Sequence, residues 1–427
     1  MILAILLGMF LLLSALGVPI AAALGVTSIF LLRVVQNVPV AVIAQRILSG
    51  IDSFPLMAIP LFVLAGNAMN VGGTTTRIVQ FSNSIVGTAR GGLAQINVLA
   101  SMFFGGISGS AVADTSSIGG ILIPSMVEEN YDRGFSASIT AFSSALGPII
   151  PPSITMVVYG ITTGNSIRRL FIAGAVPGIL YGLGLMAAVA YIAKRNNYPR
   201  HPRLTFKEKL RSFREVIWAL LMPVIVVGGI LSGVFTVTES AAIAAVYALF
   251  AGIFVYRGID SPRKLLQILE ISVVLVASIM ILIGAAKLYS WLLVIHHVPT
   301  MVSTMIFSMT ENPLMVLMLI NFFMIIIGMF VEANAAIVIF VPILYPIILQ
   351  LGIDPIHFGV VVVFNLCLGL VTPPVGLCLN LASKIARCSL VDSIRHSAWF
   401  FVVGAVVLLL ITYWPQLPLF LPNALGL

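Results

Sequence analysis

The residues of this chain able to do chemistry are mostly oxygen donors, and they fall into two groups with matched spacing. The stretch at 105–124, GGISGSAVADTSSIGGILIP, sets Ser108, Ser110, Thr115 and Ser116 around one carboxylate, Asp114. A second stretch at 331–342, VEANAAIVIFVP, places Asn334 two residues after Glu332. Each carboxylate stands ten residues before a proline, Pro124 or Pro342. Farther along, Asp132 precedes the Pro151-Pro152 pair by nineteen residues, and Asp354 precedes Pro373-Pro374 by nineteen. Upstream, Gly66 and Gly284 each lie 48 residues before their carboxylates. Hydroxyl, amide, carboxylate and carbonyl oxygens are ligands for hard cations. A proline removes an N–H donor and frees a carbonyl one turn back, so oxygens near Gly147, Ile150 and Pro151, and near Gly369, Thr372 and Pro373, become available. Helix N-termini beside them would turn partial positive charge toward an anion. Either carboxylate can instead hold its segment by accepting backbone N–H groups.

The elements that position these groups must lie in a membrane. Of 427 residues, 60% are hydrophobic and 8% are charged, against about 25% charged in soluble domains. The mean hydropathy is +1.14. Apolar runs such as 170–193, 216–235, 265–294 and 396–414 match the roughly 20 residues that a spanning helix needs. Ten to twelve crossings are expected, with no room for a soluble domain, and MILAILLGMFLLLSALG at the start reads as the first. The net charge of +8 sits in loops, the largest being KRNNYPRHPRLTFKEKLRSFR at 194–214. That is the pattern of a cytoplasmic loop beside lipid headgroups rather than of a nucleic-acid surface. Cys367, Cys378 and Cys388 lie in or beside apolar sequence and read as small hydrophobes, with neither a disulfide nor a metal site indicated.

The matched spacings predict an internal repeat, 1–193 and 216–427, joined by the basic linker 194–215. Residues 237–256 return to Arg257, Arg263 and Lys264, which places the start of the second repeat inside and the start of the first outside. The copies are therefore predicted to be inverted, with Arg33, Arg46, Arg168 and Arg169 as exceptions to the charge rule. Each carboxylate segment is too short to cross twice as full helices. Re-entrant helical hairpins are expected at about 90–126 and 313–351, with tips at Asp114, Thr115 and Ser116 and at Glu332, Ala333 and Asn334. Proline-broken helices are expected at about 136–160 and 356–381. Irregular backbone at membrane depth requires protein or a watery cavity around it. The fold class is thus an all-α polytopic membrane protein of two inverted repeats, and the function is transport rather than catalysis. A different reading rests on GISG at 106–109, which matches the short motif of intramembrane serine proteases, with Ser108 as nucleophile and His296 or His297 as base. It leaves the repeat, the second hairpin and both double prolines unexplained.

Five stretches in order, GGISGSAVADTSSIGGILIPSM, GPIIPPSITMVVYG, LFIAGAVPGIL, FTVTESAAIAAVYAL and GIDPIHFGVVVVFNLCLGLVTPPVGL, resemble the large membrane subunit of tripartite ATP-independent periplasmic (TRAP) transporters. The resemblance covers nearly the whole chain. It implies a sodium-coupled secondary transporter in the bacterial inner membrane that imports an organic acid of the sialic acid or C4-dicarboxylate class by elevator-type motion. Two or more sodium ions would be the coupling ions and no other cofactor is implied; proton coupling through Asp114 and Glu332 is the alternative. Two partners are implied as well, a small membrane subunit of about four helices and a soluble periplasmic substrate-binding protein. By position, Ser108, Ser110, Thr115, Ser116, Ser153, Asn334 and Gly376 would meet substrate. Asp114, Ser116, Gly147, Ile150, Pro151, Glu332, Asn334, Gly369, Thr372 and Pro373 would hold sodium. Ser143 and Asn365, each eight residues before its prolines, would add side-chain oxygens.

Overall fold

A computed structural model describes residues 2–202 and 204–427; Met1 and Arg203, the latter within the basic loop, lie outside the described residues. The described chain is helical throughout, without a strand. Lipid cannot satisfy backbone N–H and C=O groups, so a sequence this apolar must pair them within each segment. Large side chains left on the outside, among them Val273, Val274 and Phe322, form the surface that hydrocarbon would cover.

The expected ten to twelve crossings concern apolar runs, not unbroken helices. Among the described residues seven helices are long and apolar enough to cross a bilayer, or up to eight if Leu390–His396 and Ala398–Tyr413, bent by 61°, count as one. The remainder of the apolar sequence is spent on shorter pieces. The segment read as the first crossing, 1–17, contains the helix Ile2–Ala15, which ends before Gly17 at a left-handed φ of +83°; Pro19 caps the next helix, Ile20–Phe30.

Two helical hairpins follow one plan. In the first, Gly92–Ser108 leads to Ala111–Glu128; in the second, Pro313–Phe330 leads to Ala333–Gln350. Each is followed by a helix interrupted at its double proline: Arg133–Ser144 then Ile154–Thr163, and Pro355–Gly369 then Leu377–Ala386. Both double-proline bonds are cis. Ala333 opens the second outgoing arm 222 positions after Ala111 opens the first, and Pro373 follows Pro151 at the same interval. This register aligns Glu332 with Ser110 rather than with Asp114, and Pro346 with Pro124 rather than Pro342. The shift of four residues therefore lies before the tip, not after it.

The halves exchange partners. Leu377–Ala386 packs against Arg133–Ser144 and Ala111–Glu128, while Ala333–Gln350 packs against Ile154–Thr163. Each half-helix after a break thus lies on the hairpin of the other half. Around this core, the 34-residue helix Pro262–Ile295 touches Ile20–Phe30, Val40–Ile51, Ala58–Val71 and the arm Ala333–Gln350. Ala58–Val71 packs along Val237–Phe250, whose first turn is closed by a capping box between Thr236 and Glu239.

Candidate functional site: two hairpin tips in one cavity

The first tip is two residues, Gly109 and Ser110. Gly109 adopts φ +60°, and a Cβ there would lie 2.9 Å from the carbonyl oxygen of Pro152, so only glycine lets the tip sit on the proline break. Gly147 meets it from the other side: a Cβ on Gly147 would stand 3.1 Å from the carbonyl carbon and oxygen of Ser110. Ser110 then caps the outgoing arm, its Oγ accepting from the Ala113 N–H at 3.4 Å. The second tip is closed by Glu332, whose Oε2 accepts from the backbone N–H groups of Asn334 (2.9 Å) and Ala335 (3.2 Å). Its Oε1 accepts from Asn334 Nδ2 at 2.8 Å. Replacing Glu332 by alanine removes all three and is expected to cost about 1 kcal/mol of stability. A lower thermal midpoint in detergent, mostly restored in Glu332→Gln because one oxygen still caps, would show it; an unchanged midpoint in Glu332→Ala would refute the cap.

Asp114, Thr115 and Ser116 do not form the first tip. They lie in the first turns of Ala111–Glu128, because Ser110 takes the capping position that Asp114 would need. Asp114 is fully buried and faces away from the cavity, where its Oδ1 accepts from Ser101 (2.9 Å) and Ser144 (2.8 Å). Among the described residues its Oδ2 has no partner. Around it runs a brace between incoming arm and half-helix: Asn97 Nδ2 donates to Thr140 Oγ1 at 2.7 Å, and Ser143 Oγ donates to Asn97 Oδ1 at 2.8 Å. The second half makes its equivalent from amides, with Asn365 Nδ2 donating to Asn321 Oδ1 at 3.0 Å. Asn365 Oδ1 and Asn334 Oδ1 are also buried without partners.

The breaks leave most of their carbonyls without a backbone donor. Among the described residues no backbone N–H donates to the carbonyls of Gly147, Ile150, Pro151, Thr372 or Pro373. Gly369 is different: its carbonyl accepts from the Thr372 N–H at 3.0 Å, because the helix runs one tight turn further before the prolines. Thr372 turns its own hydroxyl back onto Leu368 O.

Both tips open into one cavity of about 320 Å³, within the size range of small-ligand pockets. Ser108, Ser110, Glu332 and Asn334 line it; Asp114, Thr115, Ser116, Ser153 and Gly376 do not. Thr115 is buried with its hydroxyl on Ala111 O, and Ser116 is exposed on the flank with its hydroxyl on Ala113 O. Ser153 caps Ile154–Thr163, accepting from the Met156 N–H. Gly376 opens Leu377–Ala386 at φ +45°. Sequence reasoning missed Asn67, Asn70, Thr155 and Ser278, which complete the polar lining. The signal was present in LAGNAMN, where two amides three residues apart share one face of an apolar helix. The protease reading finds no support in the geometry. Among the described residues no histidine bonds Ser108, and the His296 ring is engaged by Gln36 at 2.7 Å.

Comparison with known proteins agrees with this architecture. The family model described as "Tripartite ATP-independent periplasmic transporter, DctM component" matches residues 7–417. The C4-dicarboxylate TRAP transporter large permease protein DctM of Pseudomonas aeruginosa is 40% identical over 90% of this chain and 90% of its own. The sialic acid TRAP transporter large permease protein SiaM of Vibrio cholerae is 37% identical over 95% of each. The crystal structure of the Alcanivorax borkumensis YdaH transporter, titled as having an unusual topology, superposes with a TM-score of 0.63 at 12% identity, covering 87% of both chains. That likeness carries the fold alone. With its helical hairpins, paired breaks and matched length, this chain belongs to the large-permease family of TRAP transporters, membrane proteins that move organic acids rather than transform them.

Proposed function

We propose that this chain is the ion-translocating permease of a three-part importer in the bacterial inner membrane, driven by sodium and carrying a small carboxylic acid. The observation that carries this reading is the meeting of two hairpin tips, from different halves of the chain, in one cavity whose polar lining comes from both. Ser108, Ser110 and Asn334 contact the substrate, with the N-terminus of Ala111–Glu128 directing N–H groups at its carboxylate. Sodium is held by oxygens behind the tips. Asp114 Oδ2, Asn334 Oδ1 and the carbonyls of Gly147, Ile150, Pro151, Thr372 and Pro373 are the donors that the protein leaves open. The exchanged packing makes hairpins and half-helices one body, and this body moves against Pro262–Ile295 and its neighbours in an elevator-type cycle. A small four-helix subunit completes the stationary part, and a periplasmic binding protein delivers substrate.

The energetics suit two ions. A tenfold gradient is worth about 1.4 kcal/mol and each net charge about 2.3 kcal/mol per 100 mV. Two sodium ions with a monoanion therefore supply about 5 kcal/mol, enough for accumulation on the order of a thousandfold. The test is uptake of labelled sialic acid and of a C4-dicarboxylate into liposomes holding the chain, its small subunit and the binding protein. Accumulation is expected only under an inward sodium gradient, with a flux ratio of at least two sodium ions per substrate, and is expected to fall at least tenfold in Ser108→Ala and Asn334→Ala. Downhill flux indifferent to sodium would overturn the reading and leave proton coupling in its place.

A further inference from the structure

A second cavity, of about 290 Å³, is lined by Arg46, Ser49, Gly50, Ser53, Lys287 and Trp291, with Ile161 at its edge. Arg46, Ser49 and Gly50 share one face of Val40–Ile51, Ser53 follows two residues beyond its end, and Trp291 stands one turn beyond Lys287 on Pro262–Ile295. The two faces are locked together. Gly50 has no side chain because the Lys287 stem passes over it: a Cβ on Gly50 would lie 2.9 Å from Lys287 Cβ and 3.1 Å from its Cγ. The Arg46 guanidinium lies 4.7 Å from the centroid of the Trp291 ring, a cation–π contact that fixes its plane. Among the described residues neither Arg46 nor Lys287 has a carboxylate partner or a side-chain hydrogen bond. No Asp or Glu lines the cavity. Two cations held without counter-charge, beside two hydroxyls, form a receptor for one anion.

Its place in the fold says what it serves. Pro262–Ile295 lines the central cavity with Leu275, Ser278 and Leu282, then the second with Lys287 and Trp291. Ile154–Thr163 lines the first with Thr155 and the second with Ile161. At about 1.5 Å per residue, the nearest lining residues of the second cavity are about 8 to 9 Å farther along both helices. It lies toward the Ile295 end, away from the basic segment at 257–264, which is the outer side under the positive-inside rule.

We propose that Arg46 and Lys287 form an anion way-station, a site that takes the carboxylate of the incoming organic acid on its path from the outer face to the central cavity. The proposal rests on the transport reading above. Because Ile161 belongs to the body that moves and Arg46 and Lys287 to elements that stay, the site is remade in each cycle.

The test uses the chain with its small subunit in phosphatidylcholine nanodiscs, titrated with N-acetylneuraminate or succinate while tryptophan emission is followed. A saturable change is expected that disappears in Trp291→Phe. The half-saturation concentration is expected to rise about tenfold in Arg46→Gln and in Lys287→Met, the loss of one charge-assisted contact. Arg46 is exposed and Lys287→Met keeps the stem over Gly50, so both variants retain the fold. An unaltered titration in both variants, or no change on adding either acid, would overturn the proposal. A response to phosphatidylglycerol in the disc instead of to carboxylate would overturn it too, by making the site one for lipid phosphate. This titration needs no ion gradient, so it stands or falls separately from sodium-driven uptake.

Discussion

Gly369→Ala is expected to destabilise the protein by about 3 kcal/mol, the upper end of what overpacking costs. Its Cβ would be placed 2.5 Å from the Cα of Gly328 and 2.8 Å from the Gly328 carbonyl oxygen. These are backbone atoms of the incoming arm Pro313–Phe330, so no side chain can rotate out of the way. Relief requires the arm and the half-helix to separate, which also breaks the hydrogen bond between Asn365 and Asn321. The reciprocal change, Gly328→Ala, meets Gly369 Cα at 3.1 Å and is expected to cost less. Gly120→Ala, with nothing within 4 Å, serves as the neutral control in a helix that favours alanine. Thermal midpoints and the yield of monodisperse protein measure all three. Equal stability of Gly369→Ala and Gly120→Ala would mean that the two helices do not touch at these glycines.

The second large effect concerns Asp114. Its neighbours do not need it: without it, Ser144 can donate to Thr140 O at 2.7 Å and Ser101 to Ser143 Oγ at 3.2 Å instead. A fully buried carboxylate with no basic partner is costly, and Ser101 and Ser144 satisfy only one of its oxygens. A bound cation on Oδ2 would offset that cost. Asp114→Asn keeps an acceptor for both serines and removes the charge. It is therefore expected to reduce sodium-driven accumulation by at least a hundredfold, the loss of about 3 kcal/mol of ion affinity, while the thermal midpoint without sodium stays the same or rises. In the unaltered protein, added sodium should raise that midpoint by mass action, and this increment should vanish in the variant. Full uptake by Asp114→Asn would reduce the residue to a brace between helices.

Much of this architecture was legible in the residues themselves. Apolar content set the membrane, the double prolines marked both breaks, the Gly/Ser-rich segment around Asp114 marked the first hairpin, and the matched spacing of Glu332 marked the second. The tip positions were not. Asp114 and Glu332 share their distance to a proline, yet Ser110 caps its helix as Glu332 does. Which residue caps depends on where the incoming arm must stop to clear the proline break, a contact between Gly109 and Pro152. Hydropathy likewise counts apolar residues and does not register where an apolar run is divided into shorter helices, as at the two double prolines and at Gly17 and Pro19.

What sequence alone determined was therefore composition, breaks, hairpins and family, each encoded within a few tens of residues. Tertiary structure decided which oxygens face the cavity and which brace the helices behind it: Ser108, at the end of the incoming arm, lines the cavity, whereas Asp114, six residues on in the outgoing arm, is turned toward Ser101 and Ser144. It also decided that Asn67, Ser278 and Asn334 share one space, and that Arg46 and Lys287, 241 positions apart, converge on another. Those pairings are made by helices that pack against one another far apart in sequence, a long-range choice that no local pattern of residues contains.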